Sequence, residues 1–228
     1  MKGLKKIVSL ALAVLMLFTT LSLTSCNRKY DEEEVITAAK ELLQRAEMLN
    51  TVYYGSGIKY LETDDGIGSY EKADTTHLSE LGFSTIDELC EITENTFSVK
   101  YCNILYTTIL SPLRNDGTLV SPARYYQVSD EETGEPTHIM VYSDFTPMLT
   151  SRITIDYSTL RVEGSEKEKV IVLVSAILTN ETGECQSTEL KIFLVEEENG
   201  WRIDSPFYEN YNALKDKYDD LKDKELKK

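Results

Sequence analysis

Residues 184–208 read ECQSTELKIFLVEEENGWRIDSPFY, and the reading of this stretch decides the fold. Leu190, Ile192 and Leu194 alternate with Lys191 and Phe193, the two-residue period of a strand. Asn199-Gly200 suits a two-residue hairpin, because both central residues of a type I′ turn need positive φ. Trp201 and Ile203 are expected on one face of the returning strand, and Arg202 and Asp204 on the other. Pro206 should end the sheet, since proline cannot donate to a central ladder.

Upstream, Val170 to Leu178 is the most apolar run, apolar on both faces, and is expected to lie centrally. Ile153, Ile155 and Tyr157 alternate in another strand. The apolar parity then shifts to Leu160 and Val162, which predicts a β-bulge or bend near Ser158-Thr159. Arg124 to Val128 and His138 to Tyr142 read as two more strands, joined by the acidic loop Ser129 to Pro136. Asn180 to Gly183 turns the chain into the hairpin.

The first half of the chain reads as helices. Asp31 to Glu34 set acids at a helix N-terminus, where they complement the dipole. Val35, Ala39, Leu42, Ala46, Leu49 and Tyr53 recur at helical spacing as one apolar stripe, ending near Gly55-Ser56-Gly57. Ser84 or Thr85 caps a second helix carrying Ile86, Leu89, Cys90, Thr93 and Phe97 on one face. Ser98 caps a third, with Tyr101, Ile104, Leu105 and Ile109 inward, ended by Pro112 and Asn115-Asp116-Gly117. Residues 58–84 are less regular. Ile58 to Leu61 reads as a short strand, and Asp64-Asp65-Gly66 as an acidic turn rather than a calcium loop, which needs more oxygen ligands at fixed offsets.

The two ends carry different signals. Lys2, Lys5 and Lys6 precede an apolar run from Ile7 to Leu23, followed by Leu23-Thr24-Ser25-Cys26. This is the layout of a secretory signal peptide. The Leu-Thr-Ser-Cys segment resembles the bacterial lipobox, which implies cleavage after residue 25, lipidation of Cys26, and a protein anchored on the outer face of the cytoplasmic membrane of a Gram-positive-type cell. The alternative is an uncleaved membrane anchor. Residues 26–32 form the anchor and a short linker that extends about 14 Å at most. Residues 33–208 read as a single α+β domain, and 209–228 as an amphipathic helix with Tyr211, Leu214, Tyr218 and Leu221 at heptad-like spacing. That helix either docks on the domain or binds a partner.

The 228 residues hold 39 acidic against 24 basic side chains, a formal charge of −15, and removal of residues 1–25 would take three lysines and no acid. Such a chain argues against nucleic acid, which needs clustered Lys and Arg. It argues equally against adhesion to anionic lipid, leaving the acyl chain to hold the protein at the membrane.

Helices followed by an antiparallel sheet ending in Glu197-Glu198-Asn199-Gly200-Trp201-Arg202-Ile203-Asp204 resemble the nuclear transport factor 2-like superfamily. That resemblance implies a cone, in which helices pack into the concave face of a curved antiparallel sheet. A narrower similarity is to secreted inhibitors of cell-wall DL-endopeptidases. It rests on Tyr60-Leu61, on Phe83 to Leu89 leading to Phe97 to Tyr101, and on Asp116-Gly117-Thr118-Leu119. Here Thr118 stands where that family usually has Lys, and no inhibitory residue carries over.

Catalytic signals are sparse. His77 and His138 have no companion at metal or triad spacing, and no phosphate loop, nucleophile elbow or zinc motif occurs, so no cofactor is implied. Three cysteines remain besides Cys26. Cys90 and Cys102 lie on adjacent helices within reach of a bridge, although buried free thiols are the preferred reading. The superfamily resemblance implies a further option, an isomerase or cyclase built on a pocket Asp with Tyr donors, and Asp156 beside Tyr157 supplies the residue types. Asp156 falls on the strand face opposite Ile153, Ile155 and Tyr157, however, as a solvated residue would. A small-ligand binder would use Tyr126, Tyr142 and Trp201 at the cone mouth. Ordinary core and hairpin packing is the plainer role for all three. The preferred function is non-catalytic binding in the cell envelope, with modulation of a wall hydrolase and pocket catalysis as alternatives.

Overall fold

The computed structural model describes residues 30–62, 68–115, 118–147, 149, 152–180 and 182–204. The expectations for the signal peptide, Cys26, the Asp64-Asp65-Gly66 turn, the Asp116-Gly117 turn and the helix 209–228 lie outside those residues. The chain divides into two units between Asp31 and Glu32. The second is α+β, with helices early and antiparallel sheet following.

Helix α1 spans Glu32–Tyr53, with Glu32, Glu33 and Glu34 in its first turn. All six residues of its expected apolar stripe are buried. Full burial of Val35, Leu42 and Leu49 contributes roughly 1.5–3 kcal/mol of transfer free energy each, and Ala39 and Ala46 less. Strands β1 (Tyr60–Leu61) and β2 (Tyr70–Ala73) follow, then helix α2 (Thr75–Leu81), capped by Asp74 at one end and Gly82 at the other. Neither β2 nor α2 was foreseen, because their short runs lack a clear apolar period, and the expected strand at Ile58 shrinks to β1. Helix α3 (Ile86–Glu94) starts in a full capping box: Glu88 N–H donates to Thr85 Oγ1, and Thr85 N–H to the Glu88 carboxylate. Helix α4 (Val99–Leu105) is capped by Ser98 and runs on through a π-helical turn, Tyr106–Leu110. That turn ends the helical run. Asn115 belongs instead to the ribbon of β3 (Leu113–Asn115) and β4 (Thr118–Ser121).

The remaining strands are β5 (Tyr125–Ser129), β6 (Pro136–Tyr142), β7 (Arg152–Glu166), β8 (Lys169–Thr179), β9 (Cys185–Glu197) and β10 (Gly200–Ile203). They fall in two four-stranded antiparallel sheets, ordered β1-β2-β6-β5 and β10-β9-β8-β7, rather than in one. Strand β8 is interior, as its two-faced apolar sequence requires, with Val170 to Val174 all buried. The register of β7 against β8 slips between Asp156 and Arg161, where the parity of the sequence changes.

Two features of the deciding hairpin differ from expectation. Gly200 already pairs with Glu197, so the loop residues are Glu198 and Asn199, and the left-handed position (φ 109°) is Gly200 itself. This is the pattern of a tight turn followed by a left-handed glycine, one residue earlier than an Asn-Gly type I′ turn. Arg202 is buried rather than solvated. Its Nε donates to Glu94 O at 2.6 Å, Nη1 to Trp201 O at 2.8 Å, and Nη2 to Asn95 Oδ1 at 3.2 Å. The arginine thus occupies the C-terminal end of α3, where free carbonyls and the helix dipole favour a cation. Ile203 N–H donates to Thr96 O and Ser98 N–H to Ile203 O, so the α3–α4 elbow adds to β10 like a short extra strand.

Arg124 plays the matching part for α1. Its Nη1 donates to Tyr53 O at 2.6 Å and Nη2 to Gly55 O at 2.7 Å, and its guanidinium lies 3.7 Å from the Phe145 ring centre. Tyr125 donates to Val52 O beside it. Gly57 makes this approach feasible: φ is +79°, and a Cβ there would sit 2.2 Å from Arg124 Nη2.

Where β10 ends, Asp204 accepts from Lys169 at the start of β8 and from the Ser98 hydroxyl. Burial pushes this carboxyl up, but the Lys169 ion pair and the Ser98 hydrogen bond outweigh it and hold it below the ordinary aspartate value.

Two predictions follow the arginine and the aspartate. Gly57→Ala should cost about 2–4 kcal/mol in denaturant midpoint analysis, through left-handed strain plus displacement of Arg124. Gly82→Ala also has a left-handed φ, but a Cβ there meets nothing within 4 Å, so it should cost only about 1–2 kcal/mol. Equal losses would show that the Arg124 contact is unimportant. Because the folded pKa of Asp204 is depressed, its contribution is present above the unfolded pKa and lost as pH falls through the folded one. Asp204→Asn should therefore flatten the acid limb of the stability–pH curve below about pH 4. Superimposable acid limbs for the two proteins would contradict the pairing.

Candidate functional site

The hairpin turn and the helix pair enclose an acidic groove of about 750 Å³. Glu91 and Glu94 enter it from α3, Glu197 from the end of β9 and Glu198 from the β9–β10 turn, and Cys102, Tyr106 and Arg202 line it beside them. The capping box starts α3, and Ile86 N–H donates to Gln127 Oε1 on β5. Arg202 fixes the other end of the helix. The four carboxylates are therefore displayed on a helix and a turn that are bonded to each other.

Electrostatically the groove is one-sided. The guanidinium of Arg202 spends its hydrogens on carbonyl and amide oxygens, not on carboxylates. Glu94 accepts from the Tyr106 hydroxyl at 3.1 Å, and Glu197 from Val99 N–H at 3.2 Å. Among the described residues, none of the four glutamates is in a salt bridge. Their field reaches the thiols. Burial, then Glu94 and Glu197, push Cys102 up to about 12, and burial likewise raises Cys90. Both thiols are free and protonated at neutral pH, as expected for Cys102, whereas Cys185 is a free thiol at an exposed position. The Tyr106 phenol is raised by burial first, then by the Cys90 and Cys102 thiols and by Glu94. Among the described residues no group of three or more His, Cys, Asp or Glu is arranged to hold a metal ion. The arrangement suits an organic cation or a basic segment of a partner.

The residues singled out from sequence do not converge on one place. Tyr126 and Tyr142 come together through Tyr70, with ring centres 4.8 and 5.3 Å from Tyr70, on the sheet β1-β2-β6-β5. Tyr70 donates to Ala123 O at 2.6 Å, and burial raises its phenol. Asp156 and Tyr157 lie on β7 in the other sheet. Asp156 is exposed and accepts from Ser158 N–H and hydroxyl at 3.1 and 2.6 Å. Tyr157 donates instead to Glu47 on α1, and its phenol is raised by burial and by that carboxylate. The Asp–Tyr pair is thus replaced by a Glu47–Tyr157 pair that no sequence proximity suggests. Trp201 is half-buried at the start of β10, opposite Glu196. Both histidines have local partners: His77 Nδ1 accepts Lys59 N–H at 2.9 Å, and His138 Nδ1 sits 3.0 Å from the Thr137 hydroxyl.

The groove residues Glu91, Glu94, Tyr106 and Arg202 were not apparent in the sequence. The only local cue was the acidic run Glu196-Glu197-Glu198 at the turn. No family model matches this chain, and no curated protein matches it.

Proposed function

We propose that this chain is a lipid-anchored, extracytoplasmic binding protein of a bacterial cell envelope, held at the membrane through Cys26 and without catalysis of its own. The observation that carries the reading is the acidic groove. Four carboxylates without a salt-bridge partner among the described residues, on walls held by Arg202 and Gln127, form a preorganised surface for a cationic partner. A basic protein segment fits best, since long-range attraction from a strongly acidic chain also speeds its capture. The nuclear transport factor 2-like reading belongs to the same proposal, supported by the contact of α1 with both β7 and β10 of the long sheet. The narrower reading, modulation of a cell-wall DL-endopeptidase, uses the same groove. The pocket-enzyme reading now turns on Glu47 and Tyr157, because Asp156 faces solvent.

The test uses the chain from Asn27 and a fluorescein-labelled hexa-arginine peptide, read by anisotropy. Replacing Glu94, Glu197 and Glu198 together by Gln should weaken binding by about tenfold or more, and the difference should fade with added salt. The same change of charge at Glu131, Glu132 and Glu135, in the β5–β6 loop, should have far less effect. Equal weakening by both triples would reduce the groove to bulk charge. Titration of the same protein into a DL-endopeptidase acting on purified peptidoglycan separates the narrower reading: dose-dependent loss of cleavage supports it, and unchanged cleavage removes it.

A further inference from the structure

A second concavity lies on the outer face of the long sheet and shares no residue with the acidic groove. Its volume is about 700 Å³, within the range of small-ligand sites. Strand register builds its floor as two rows. Asp156, Ser175 and Glu189 lie side by side on β7, β8 and β9, and Thr154, Ile177 and Ser187 form the next row. Neighbours in a row are about 4.8 Å apart and the rows nearly 7 Å apart. The slip in β7 just beyond Asp156 bends that strand and turns a flat sheet face into a trough.

The chemistry of this floor is specific. Among the described residues the hydroxyls of Thr154, Ser175 and Ser187 have no intramolecular hydrogen-bond partner. Each carboxylate is partly used: Asp156 Oδ1 accepts from Ser158, and Glu189 Oε2 from Arg161. Among the described residues, Asp156 Oδ2 and Glu189 Oε1 accept no hydrogen bond. At the centre Ile177 is 45% exposed, an apolar spot that a strand so buried elsewhere leaves uncovered. Among the described residues no lysine, arginine or aromatic residue lines the trough. An anion would meet Asp156 and Glu189, and the Arg161 guanidinium beside them is already paired with Glu189, which disfavours phosphate-bearing chains. A nucleobase would find no ring to stack on. A neutral polyhydroxyl ligand meets matching groups throughout: hydroxyls that both donate and accept, carboxylate acceptors for its own hydroxyls, and an isoleucine for its C–H face.

We infer that this trough is a subsite for an uncharged glycan chain. The choice of ligand rests on the extracytoplasmic reading above, since glycan strands are what such a surface would meet. The probe is the uncharged tetramer of β-1,4-linked N-acetylglucosamine, titrated into the ¹⁵N-labelled chain from Asn27. Saturable amide shifts should map to β7, β8 and β9 around Ser175 and Ile177. Thr154→Val, at an exposed position, should weaken binding about fivefold by removing one hydrogen bond. Ser175→Leu should fill the trough and abolish binding, with the remaining spectrum showing that the fold persists. Absence of saturable shifts at millimolar tetramer, shifts confined to other surfaces, or undiminished binding by both variants would overturn the subsite. Failure here with hexa-arginine binding intact removes the glycan subsite alone. Loss of groove-specific peptide binding would be the separate failure of the proposed function.

Discussion

The guanidinium of Arg202 at the end of α3 is the interaction on which the rest of the structure depends. A buried arginine is costly unless each hydrogen finds an acceptor. Here the acceptors are Glu94 O, Trp201 O, Asn199 O and Asn95 Oδ1, grouped where a helix exposes its carbonyls. One side chain therefore closes the hairpin turn, ends a helix and joins the helical part to the sheet. Arg124 repeats part of the device on the other sheet: its Nη1 and Nη2 reach Tyr53 O and Gly55 O at the end of α1, while its buried Nε finds no acceptor among the described residues. Helix α1 is tied to one sheet by Arg124 and Tyr125 and to the other by Glu47 with Tyr157. Helix α3 is tied to one by Gln127 and to the other by Arg202. Two helices thus act as struts between two sheets that, among the described residues, share no ladder hydrogen bond.

This organisation explains the form of the acidic groove. A helix bonded at both ends and a tight two-residue turn are rigid supports, so the carboxylates they carry keep their spacing when a partner is absent. Their mutual repulsion is tolerated because all four face solvent on one side and because Tyr106 and Val99 N–H satisfy two of them. Burial, reinforced by the same field, keeps the neighbouring thiols protonated, which favours a quiet binding surface over a reactive one. The hydroxyl-lined trough on the long sheet arises differently, from a bulge that bends one strand of a regular ladder.

Local patterns in the sequence carried much of this fold. The stripe from Val35 to Tyr53, the Thr85 and Ser98 caps, the interior position of β8 and the bulge after Asp156 each follow from spacing within one element. What escaped were contacts across the chain. Arg202 in β10 and Arg124 just before β5 sit in stretches where a charged residue signals solvent, and only partners 108 and 71 residues away make them interior. The same distance hid Glu47 from Tyr157. The groove was illegible for this reason: its glutamates look like the exposed faces of separate elements until Arg202 draws those elements together. Tyr126 and Tyr142 did come together, through a Tyr70 that lay in the segment with the weakest periodicity.

The most direct test of this account is native-state hydrogen exchange at the Ser98 and Ile203 amides. Ser98 N–H bonds to Ile203 O and Ile203 N–H to Thr96 O, so both report on the seam that Arg202 holds. If Arg202 joins the helices to the sheet, these two amides exchange only through the same global opening as the amides of β8. Exchange at Ser98 and Ile203 orders of magnitude faster than in β8 would mean that the elbow opens on its own, and would contradict a hairpin that organises the molecule.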